Sequence, residues 1–268
     1  MTDLSRFELT DRKALVTGAA GGIGKASALA MAKAGADVAV IDLKEEMGRE
    51  TAEEIRALGR KSTYIHCDVS DPEQVTAMVK EVVDTLGGLH IAHNNAGIAG
   101  DIVPLMDDGA IDEWKKVLNV DLFSVFYCCR EEAKYMIPQR YGKIVNTASM
   151  SGTIVNCMEM DGVPMAGMAM IAYTTAKAGV KHLTKALSTE LIQHNIYVNS
   201  ISPGYIITPM TQIIQDTPEF LQVENRTTPI HRQGEAEEMA GGVLYLVSDA
   251  SSYTTGHDLL MDGGHTVW

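Results

Sequence analysis

Cysteine is scarce in this chain: its 268 residues include four, and no two of them have the CxxC spacing. Cys128 and Cys129 are adjacent, so their side chains point in different directions on a helix or a strand. A disulfide framework and a metal site are therefore not expected. The sequence instead favours a cytoplasmic protein with reduced thiols.

An excess of positive charge is also missing. Lys and Arg total 22 against 35 Asp and Glu, which gives a net charge of −13. Such a chain repels phosphate backbones and anionic membrane surfaces, so neither a nucleic acid nor a membrane is expected as a partner. No apolar run approaches the roughly 18 residues that span a bilayer. Residues 1–11 lack the basic and apolar regions of a secretory signal.

What the sequence does contain is a regular alternation of short apolar runs and longer helical patterns. The seven strand candidates are residues 14–17, 38–41, 63–66, 89–92, 144–147, 197–200 and 259–261. Such alternation predicts an α/β fold, namely a Rossmann-type doubly wound parallel sheet of seven strands with helices on both faces. The expected strand order is 3-2-1-4-5-6-7. No linker divides the chain, so residues 1–268 are predicted to form a single domain.

The predicted helices include residues 22–34, 45–58, 112–137, 172–194 and 235–248, and a further helix that begins after Asp71. Two other stretches interrupt the alternation. Residues 153–170 contain five of the fifteen methionines and are predicted to form a loop that packs on an apolar surface. Residues 205–232 contain three prolines and are predicted to form a lid.

A glycine-rich turn follows the first predicted strand. The sequence Thr17-Gly-Ala-Ala-Gly-Gly-Ile-Gly24 lies between this strand and an alanine-rich helix. Glycines allow the backbone to turn tightly and to approach a pyrophosphate at the amino terminus of a helix. The alternative is a plain strand-to-helix turn, but the position after the first strand favours a dinucleotide site.

The second predicted strand ends in a carboxylate, Asp42, eighteen residues after Gly24. A carboxylate there accepts hydrogen bonds from both ribose hydroxyls and repels a 2′-phosphate, which favours NAD over NADP. Leu43 follows where a phosphate-binding site could have an arginine. Lys44 leaves NADP open, and an ordinary polar strand end is the alternative interpretation.

Two further motifs contain polar residues. Asn94-Asn95-Ala96-Gly97 closes the fourth strand with a small-residue turn that could lie against a nucleotide.

Tyr173 and Lys177 lie one helical turn apart, on one face of the helix. A phenol is a poor base near neutrality, and a neighbouring ammonium favours the phenolate. With Ser149 holding a substrate oxygen, this pair could interconvert an alcohol and a ketone.

Taken together, the motifs resemble the short-chain dehydrogenase/reductase family. The patterns TGxxxGxG, NNAG, a helix Asn, Ser, YxxxK and PGxxxT occur in that order between Lys13 and Gly264. The resemblance implies the doubly wound fold, a nicotinamide cofactor, hydride transfer to or from a small-molecule alcohol or ketone, and a homotetramer.

The resemblance also implies roles for individual residues. The implied catalytic residues are Asn119, Ser149, Tyr173 and Lys177, with Asn119 holding a proton-relay water. The implied cofactor contacts are Gly18, Gly22, Ile23, Gly24, Asp42, Leu43, Asp68, Val69, Asn95, Ala96, Gly97, Tyr173, Lys177, Pro203, Gly204, Ile206 and Thr208.

One feature departs from the family pattern. Tyr173 lies 24 positions after Ser149, a longer interval than in most members, and the methionine-rich residues 153–170 are the inserted material. The motifs on either side are intact, so Ser149 keeps its assignment. Ser151 is the second candidate for the same role.

Residues 149–156, 199–208 and 262–268 resemble the branch of the family that acts on sugar alcohols and ketoses. The predicted reaction is therefore NAD-dependent interconversion of a secondary alcohol, expected to be a polyol, and its ketone. Predicted substrate contacts are Ser149, Ser151, Asn156, Glu159, Tyr173 and Tyr205. The alternatives are a reductase of 3-oxoacyl thioesters or other carbonyl compounds, and a non-catalytic nucleotide-binding protein on the same fold.

Overall fold

A computed structural model describes residues 4–155, 159–160, 163–164 and 170–267 and contains a seven-stranded, fully parallel sheet. The strands are β1 (Lys13–Thr17), β2 (Asp37–Asp42), β3 (Ser62–His66), β4 (Ile91–Asn94), β5 (Gly142–Thr147), β6 (Ile196–Pro203) and β7 (Asp258–Met261). They lie in the order β3-β2-β1-β4-β5-β6-β7, which confirms the predicted topology.

Helices connect the strands and cover the sheet. They are α1 (Gly22–Lys33), α2 (Glu45–Ala57), α3 (Pro72–Leu86), α4 (Ala110–Leu118), α5 (Ser124–Gln139), α6 (Ile171–Leu191), α7 (Gln212–Gln215), α8 (Pro218–Thr227) and α9 (Ala236–Val247). The single helix predicted over residues 112–137 is instead α4 and α5 joined by a π-helical turn, Asn119–Phe123.

The apolar strands supply a core on each face of the sheet. Leu15 and Val16 are adjacent and both fully buried, but they belong to different apolar clusters. Leu15 packs in the cluster that includes α3 and α5, whereas Val16 packs in the cluster that includes α1, α2 and α9. Successive strand side chains point to opposite faces, so a strand covered on both faces has to be apolar throughout.

The start of α3 shows how local sequence fixes an element. The Asp71 carboxylate accepts hydrogen bonds from the backbone N–H groups of Glu73 at 2.8 Å and Gln74 at 3.3 Å. Pro72 occupies the first helical position, where its missing N–H has no cost. Such a cap stabilises a helix by about 1 kcal/mol. This confirms the predicted start of the helix.

The chain order creates a crevice at one edge of the sheet. From β1 the chain proceeds outward through β2 and β3, then returns to β4 on the other side of β1 and proceeds outward again. Connections at the carboxyl ends of β1 and β4 therefore leave in opposite directions, and ligands bind at this kind of switch point in doubly wound sheets.

The two interrupting segments are built differently. Within residues 205–232, a two-residue strand Ile206–Ile207 pairs with Gly234–Glu235, and α7 and α8 follow. Within 153–170, Glu159–Met160 pairs antiparallel with Val163–Pro164. Asn156 lies outside the described residues, as does the side chain of Glu159.

Across the described parts of the chain, no helix combines the length and the apolar character needed to cross a membrane.

Candidate active site

The predicted site residues gather at the carboxyl edge of the sheet, although they come from the whole length of the chain. The glycine-rich turn follows β1, Asp42 ends β2, Asn95 follows β4, Ser149 follows β5 and Pro203 ends β6. Because the strands are parallel, their carboxyl ends all meet at this edge.

The glycine-rich turn leaves no room for side chains. Gly18 and Gly22 have φ values of +65° and +53°, which favour glycine. A Cβ atom on Gly24 would lie 2.1 Å from the carbonyl oxygen of Gly18. The turn therefore requires glycine at the amino terminus of α1, and a helix start of this kind can bind a pyrophosphate through its N–H groups.

The NNAG turn is tied to the glycine-rich turn. Thr17 Oγ1 accepts hydrogen bonds from the backbone N–H groups of Asn95 at 2.9 Å and Ala96 at 3.0 Å. In return, Asn95 Nδ2 donates to the carbonyl oxygens of Thr17 at 3.1 Å and Gly18 at 3.2 Å. The carboxyl ends of β1 and β4 therefore form one fixed unit at the switch point.

A buried histidine supports this unit from within the sheet. Thr147 Oγ1 lies 2.9 Å from His93 Nε2 and 3.3 Å from Asn95 Oδ1. Burial lowers the pKa of His93 to about 3, so its ring is neutral at physiological pH.

Asp42 also contacts the glycine-rich turn. Its carboxylate accepts hydrogen bonds from the backbone N–H groups of Ala20 and Lys44, both at 2.9 Å. The hydroxyl of Tyr64 donates to the Asp42 carbonyl oxygen at 2.9 Å. Leu43 is exposed to solvent. The carboxylate is thus held beside the turn that the phosphates of a dinucleotide would occupy.

The PGxxxT segment closes the other side of the crevice. A Cβ atom on Gly22 would lie 3.2 Å from the Thr208 methyl carbon, which places the segment against the glycine-rich turn. Gly204 packs against Asp262, whose Cα would lie 2.7 Å from an added Cβ. Ile206 is buried.

Asp68 and Val69 follow β3 at the same edge of the sheet. Asp68 Oδ1 accepts hydrogen bonds from Ser70 N at 2.9 Å and Ser70 Oγ at 2.7 Å. Val69 is buried in the apolar core. The pairing of Asp42 with His66 places the end of β3 next to Asp42, where the adenine side of the site is predicted.

Ser149 is placed by a tight turn that rests on α6. Its Oγ accepts a hydrogen bond from the Ser151 N–H at 3.1 Å and caps the short 3₁₀ helix Met150–Gly152. A Cβ atom on Gly152 would lie 2.7 Å from the Lys177 carbonyl carbon. This close approach brings the buried Ser149 to the helix that carries Tyr173 and Lys177.

Lys177 is buried and has fixed partners. Its Nζ donates to the Thr147 carbonyl oxygen at 3.1 Å and lies 5.5 Å from the ring centre of Tyr173. Nζ is also 3.1 Å from Asp121 Oδ2, and both side chains are almost completely buried. Burial lowers the pKa of Lys177, but the charge of Asp121 and the phenol of Tyr173 outweigh burial, so its pKa is raised overall.

The structure does not bring Asn119 to this group. Asn119 is exposed at the start of the π-helical turn, and the buried residue of that turn is Asp121. Asp121 Oδ1 accepts a hydrogen bond from the Ile98 N–H at 2.8 Å. Sequence reasoning missed Asp121 as a site residue.

The sequence did contain a signal for Asp121. Val117, Asp121 and Val125 follow one another at four-residue spacing, and all three are buried. An acid within the apolar stripe of a helix requires a buried partner. Lys177 supplies that partner.

Of the predicted substrate residues, Tyr205 packs against the carboxyl-terminal segment of the chain. Its ring makes an edge-to-face contact with His265, with ring centres 5.3 Å apart. Burial, together with Glu224, raises the pKa of Tyr205 well above its usual range. Ser151 is half-buried beside Ser149.

A small cavity of about 60 Å³ opens beside Tyr173, between the segment after β4, the helix α4 and the start of α6. Its lining is largely apolar and includes Val103, Leu105, Trp114 and Met170. The charged side chains on its wall are Asp101 and Glu113.

A doubly wound parallel sheet with a glycine-rich turn, a carboxylate after β2 and a Tyr–Lys pair beside a serine defines a dinucleotide-dependent oxidoreductase. Comparisons with known proteins identify the family. The sequence model described as enoyl-(acyl carrier protein) reductase matches residues 18–266.

Relatives match along almost the entire chain. A sorbose reductase from Candida albicans is 37% identical over 263 residues, covering 98% of this chain and 90% of the relative. A cyclohexanol dehydrogenase from Acinetobacter is 37% identical over 267 residues, covering 99% of each. The crystal structure of a short-chain type dehydrogenase/reductase from Mycobacterium marinum superimposes with a TM-score of 0.90, at 40% identity and 99% coverage of both chains.

The chain therefore belongs to the short-chain dehydrogenase/reductase family. It is an oxidoreductase of alcohols and ketones that uses a nicotinamide cofactor. The similarity to the sorbose reductase agrees with the predicted likeness to enzymes of sugar alcohols and ketoses.

Proposed function

We propose that this protein is an NAD-dependent dehydrogenase that interconverts a polyol and its ketose. The observation that carries the proposal is the convergence of Ser149, Tyr173 and Lys177 beside a glycine-rich turn that holds the Asp42 carboxylate. The similarity to a sorbose reductase supports a substrate with several hydroxyl groups.

The residues of the crevice fit a nicotinamide dinucleotide. The turn around Gly18 and Gly24 is a cradle that a Cβ atom would fill. In the proposed arrangement, its N–H groups hold the pyrophosphate, the NNAG turn and Lys177 hold the nicotinamide ribose, and Thr208 holds the carboxamide. When bound, this cofactor supplies the acceptor or donor of hydride.

Tyr173 is the proposed general base, which takes the hydroxyl proton of the substrate during oxidation and returns it during reduction. The Lys177 ammonium stabilises the phenolate by its charge. An ammonium has three N–H donors, of which Thr147 and Asp121 occupy two, so the third is directed to the cofactor ribose. Ser149, fixed by its capping turn, orients the substrate oxygen.

The preference for NAD is proposed from the Asp42 carboxylate. Replacing Asp42 with Ser is expected to lower kcat/KM for NAD about tenfold, because charge-assisted hydrogen bonds to the ribose are lost. The same change is expected to raise kcat/KM for NADP, because the charge that repels its 2′-phosphate is removed. Steady-state kinetics with both cofactors measure the ratio.

Lys44→Ala is the matched control for this prediction. Lys44 is an exposed cation two residues from Asp42. Its loss should leave kcat/KM for NAD unchanged and lower only the residual rate with NADP. A wild-type enzyme that prefers NADP, and loses that preference in Lys44→Ala, would contradict the proposal.

A second candidate substrate class is a secondary alcohol with an apolar substituent. The apolar wall of the cavity beside Tyr173, with Trp114 and Met170, favours it. The similarity to a cyclohexanol dehydrogenase points the same way. Reduction of a 3-oxoacyl thioester is a third candidate, because the chain is also 36% identical over 255 residues to a 3-oxoacyl-[acyl-carrier-protein] reductase from Staphylococcus aureus.

The test of the proposed function is NADH formation from NAD over a panel of C4–C6 polyols, cyclohexanol and a 3-hydroxyacyl thioester. We expect kcat/KM for the best polyol to exceed that for cyclohexanol at least tenfold, because only a polyol pairs with several hydrogen-bonding groups in the site. The opposite ranking would replace the polyol with an apolar secondary alcohol. Activity on the thioester alone would discard both.

The proposal includes a homotetramer. Phe123 and Phe126 are exposed on the π-helical turn and on α5, and with Leu122, Tyr127 and Leu183 they line an apolar groove. Exposed aromatic side chains grouped in this way are typical of protein contact surfaces.

We also propose a cytoplasmic location for the protein and a lid role for residues 205–232.

A further inference from the structure

Asp121 is a buried carboxylate next to the proposed active site. It is fully buried, with Oδ1 accepting a hydrogen bond from the Ile98 N–H and Oδ2 3.1 Å from Lys177 Nζ. A charge in such a place is costly unless an opposite charge accompanies it. The two side chains therefore depend on each other for charge compensation.

The backbone around the pair is shaped to allow this contact. The π-helical turn Asn119–Phe123 directs Asp121 inward from the junction of α4 and α5. A Cβ atom on Gly97 would lie 3.2 Å from Asp121 Oδ2 and 3.3 Å from Lys177 Nζ, so a side chain there would crowd both groups. The pair thus occupies a space left open by the NNAG turn.

The other groups near Lys177 do not replace this charge. On its own helix, Tyr173 is the titratable neighbour, and Lys181 one turn further pairs with Asp258 at 2.8 Å. From β5, Thr147 offers a neutral carbonyl oxygen, and His93 behind it is neutral. Among the described residues that face Lys177, the compensating anion is Asp121.

We propose that Asp121 is a positioning residue that keeps the Lys177 side chain protonated and fixed against the Thr147 carbonyl. This inference rests on the proposed function, since it assigns Asp121 the task of maintaining the charge that assists Tyr173. Burial alone raises the pKa of Asp121, and the ammonium and the Ile98 N–H oppose that rise. The protons of the two groups are therefore coupled, and the pair titrates as a unit.

The sign of the expected pH effect follows from the coupling. Because Asp121 raises the pKa of Lys177, the wild-type ammonium persists into alkaline solution. In Asp121→Asn, the amide oxygen still accepts from Ile98, but its NH₂ group faces the ammonium and the negative charge is lost. Burial then lowers the pKa of Lys177, so its charge disappears at a lower pH.

The first test is the pH profile of kcat/KM for alcohol oxidation in wild type and Asp121→Asn. The variant should stay within about threefold of wild type near pH 7 and fall about tenfold below it near pH 10, because the charge of Lys177 is lost at a lower pH in the variant. A carboxylate with a merely structural role would lower the rate equally at all pH values. Parallel profiles would therefore overturn the proposal.

Asp37→Asn is the matched control. Asp37 is also a buried carboxylate in ion pairs, with Lys13 at 2.6 Å and Arg60 at 3.0 Å, but it lies at the amino end of β2, away from the site. Its replacement should lower the melting temperature and leave the shape of the pH profile unchanged.

A second test does not depend on turnover or on the folding of the Asp121 variant. Wild-type protein with ¹³Cε-labelled lysine is titrated by NMR, and the Lys177 signal is assigned by its absence in Lys177→Met. The proposal predicts a signal that stays in its ammonium position up to at least about pH 10. A signal that titrates below pH 9, or is already neutral at pH 7, would overturn it. Failure of the proposed function instead appears as no turnover with any substrate, whatever this signal does.

Discussion

Replacing Tyr173 with Phe should reduce kcat about a thousandfold or more while the cofactor still binds. The change removes one oxygen atom, which in the proposed mechanism is the atom that takes up and returns the substrate proton. Positioned general acid–base groups contribute about 10²- to 10⁴-fold to rates. The backbone of α6 and the buried side chain of Lys177 do not depend on this oxygen, so the cofactor crevice should remain intact. Steady-state kinetics and calorimetric titration with NAD measure the two properties.

Tyr245→Phe is the matched control for this prediction. Its hydroxyl lies 2.9 Å from Thr254 Oγ1, on α9 and far from the crevice. The same chemical change there should lower stability by about 1 kcal/mol and keep kcat within about twofold. Retention of near-normal turnover in Tyr173→Phe would remove Tyr173 from its role. Loss of cofactor binding together with turnover would show a structural role instead.

The inner strands of the sheet could be predicted from the sequence because both of their faces are buried. Strands such as β1 and β2 are buried at almost every position, so they appear in the sequence as short apolar runs. Right-handed crossovers, with one reversal of direction at β1, then give the strand order of a doubly wound sheet. The divided helix was not predictable in this way, since α4, the π-helical turn and α5 share one continuous helical pattern of apolar residues.

The sequence allowed the positions of motif residues in the fold to be predicted where these residues lie at the end of a strand. Thr17 and Asp42 end strands and Asn95 follows one, and parallel pairing brings such positions to one edge. Contacts between distant segments carried no such signal: the approach of Thr208 to Gly22 depends on the path of the chain after β6.

The difference in position between Asn119 and Asp121 has a specific physical origin. The family motif specifies an asparagine on a helix, and Asn119 is the asparagine that matches it. Which side chain of the helix points toward Lys177 depends instead on the geometry of the π-helical turn. Residue type favoured Asn119, and burial favoured Asp121. The four-residue spacing of Val117, Asp121 and Val125 was the better guide, because a buried acid has to find a cation wherever the fold places one.

The second large effect is expected for Gly24→Ala, which should weaken cofactor binding at least tenfold and lower stability by about 1–3 kcal/mol. The added Cβ would lie 2.1 Å from the Gly18 carbonyl oxygen and 2.7 Å from Asn95 Nδ2. Neither atom is free to move, since Asn95 Nδ2 bonds that same oxygen and a Cβ on Gly18 would itself lie 2.9 Å from the Ala96 backbone. Relief of the clash would have to separate the two turns that form the crevice. Thermal melting with and without NAD measures both effects.

Gly241→Ala separates this clash from the general effect of removing a glycine from a helix. Gly241 lies in α9, and an added Cβ there would meet no atom within 4 Å. Alanine is favoured over glycine in a helix by about 1 kcal/mol, so this variant should melt at the same or a higher temperature and bind NAD normally. Gly24 is also helical, in the first turn of α1, so it would gain from the same preference. If Gly24→Ala lowers the melting temperature while Gly241→Ala raises it, the difference measures the contribution of the contact between the glycine-rich turn and the NNAG turn. Equal gains at both positions would show that the two turns separate readily and that the crevice does not depend on their contact.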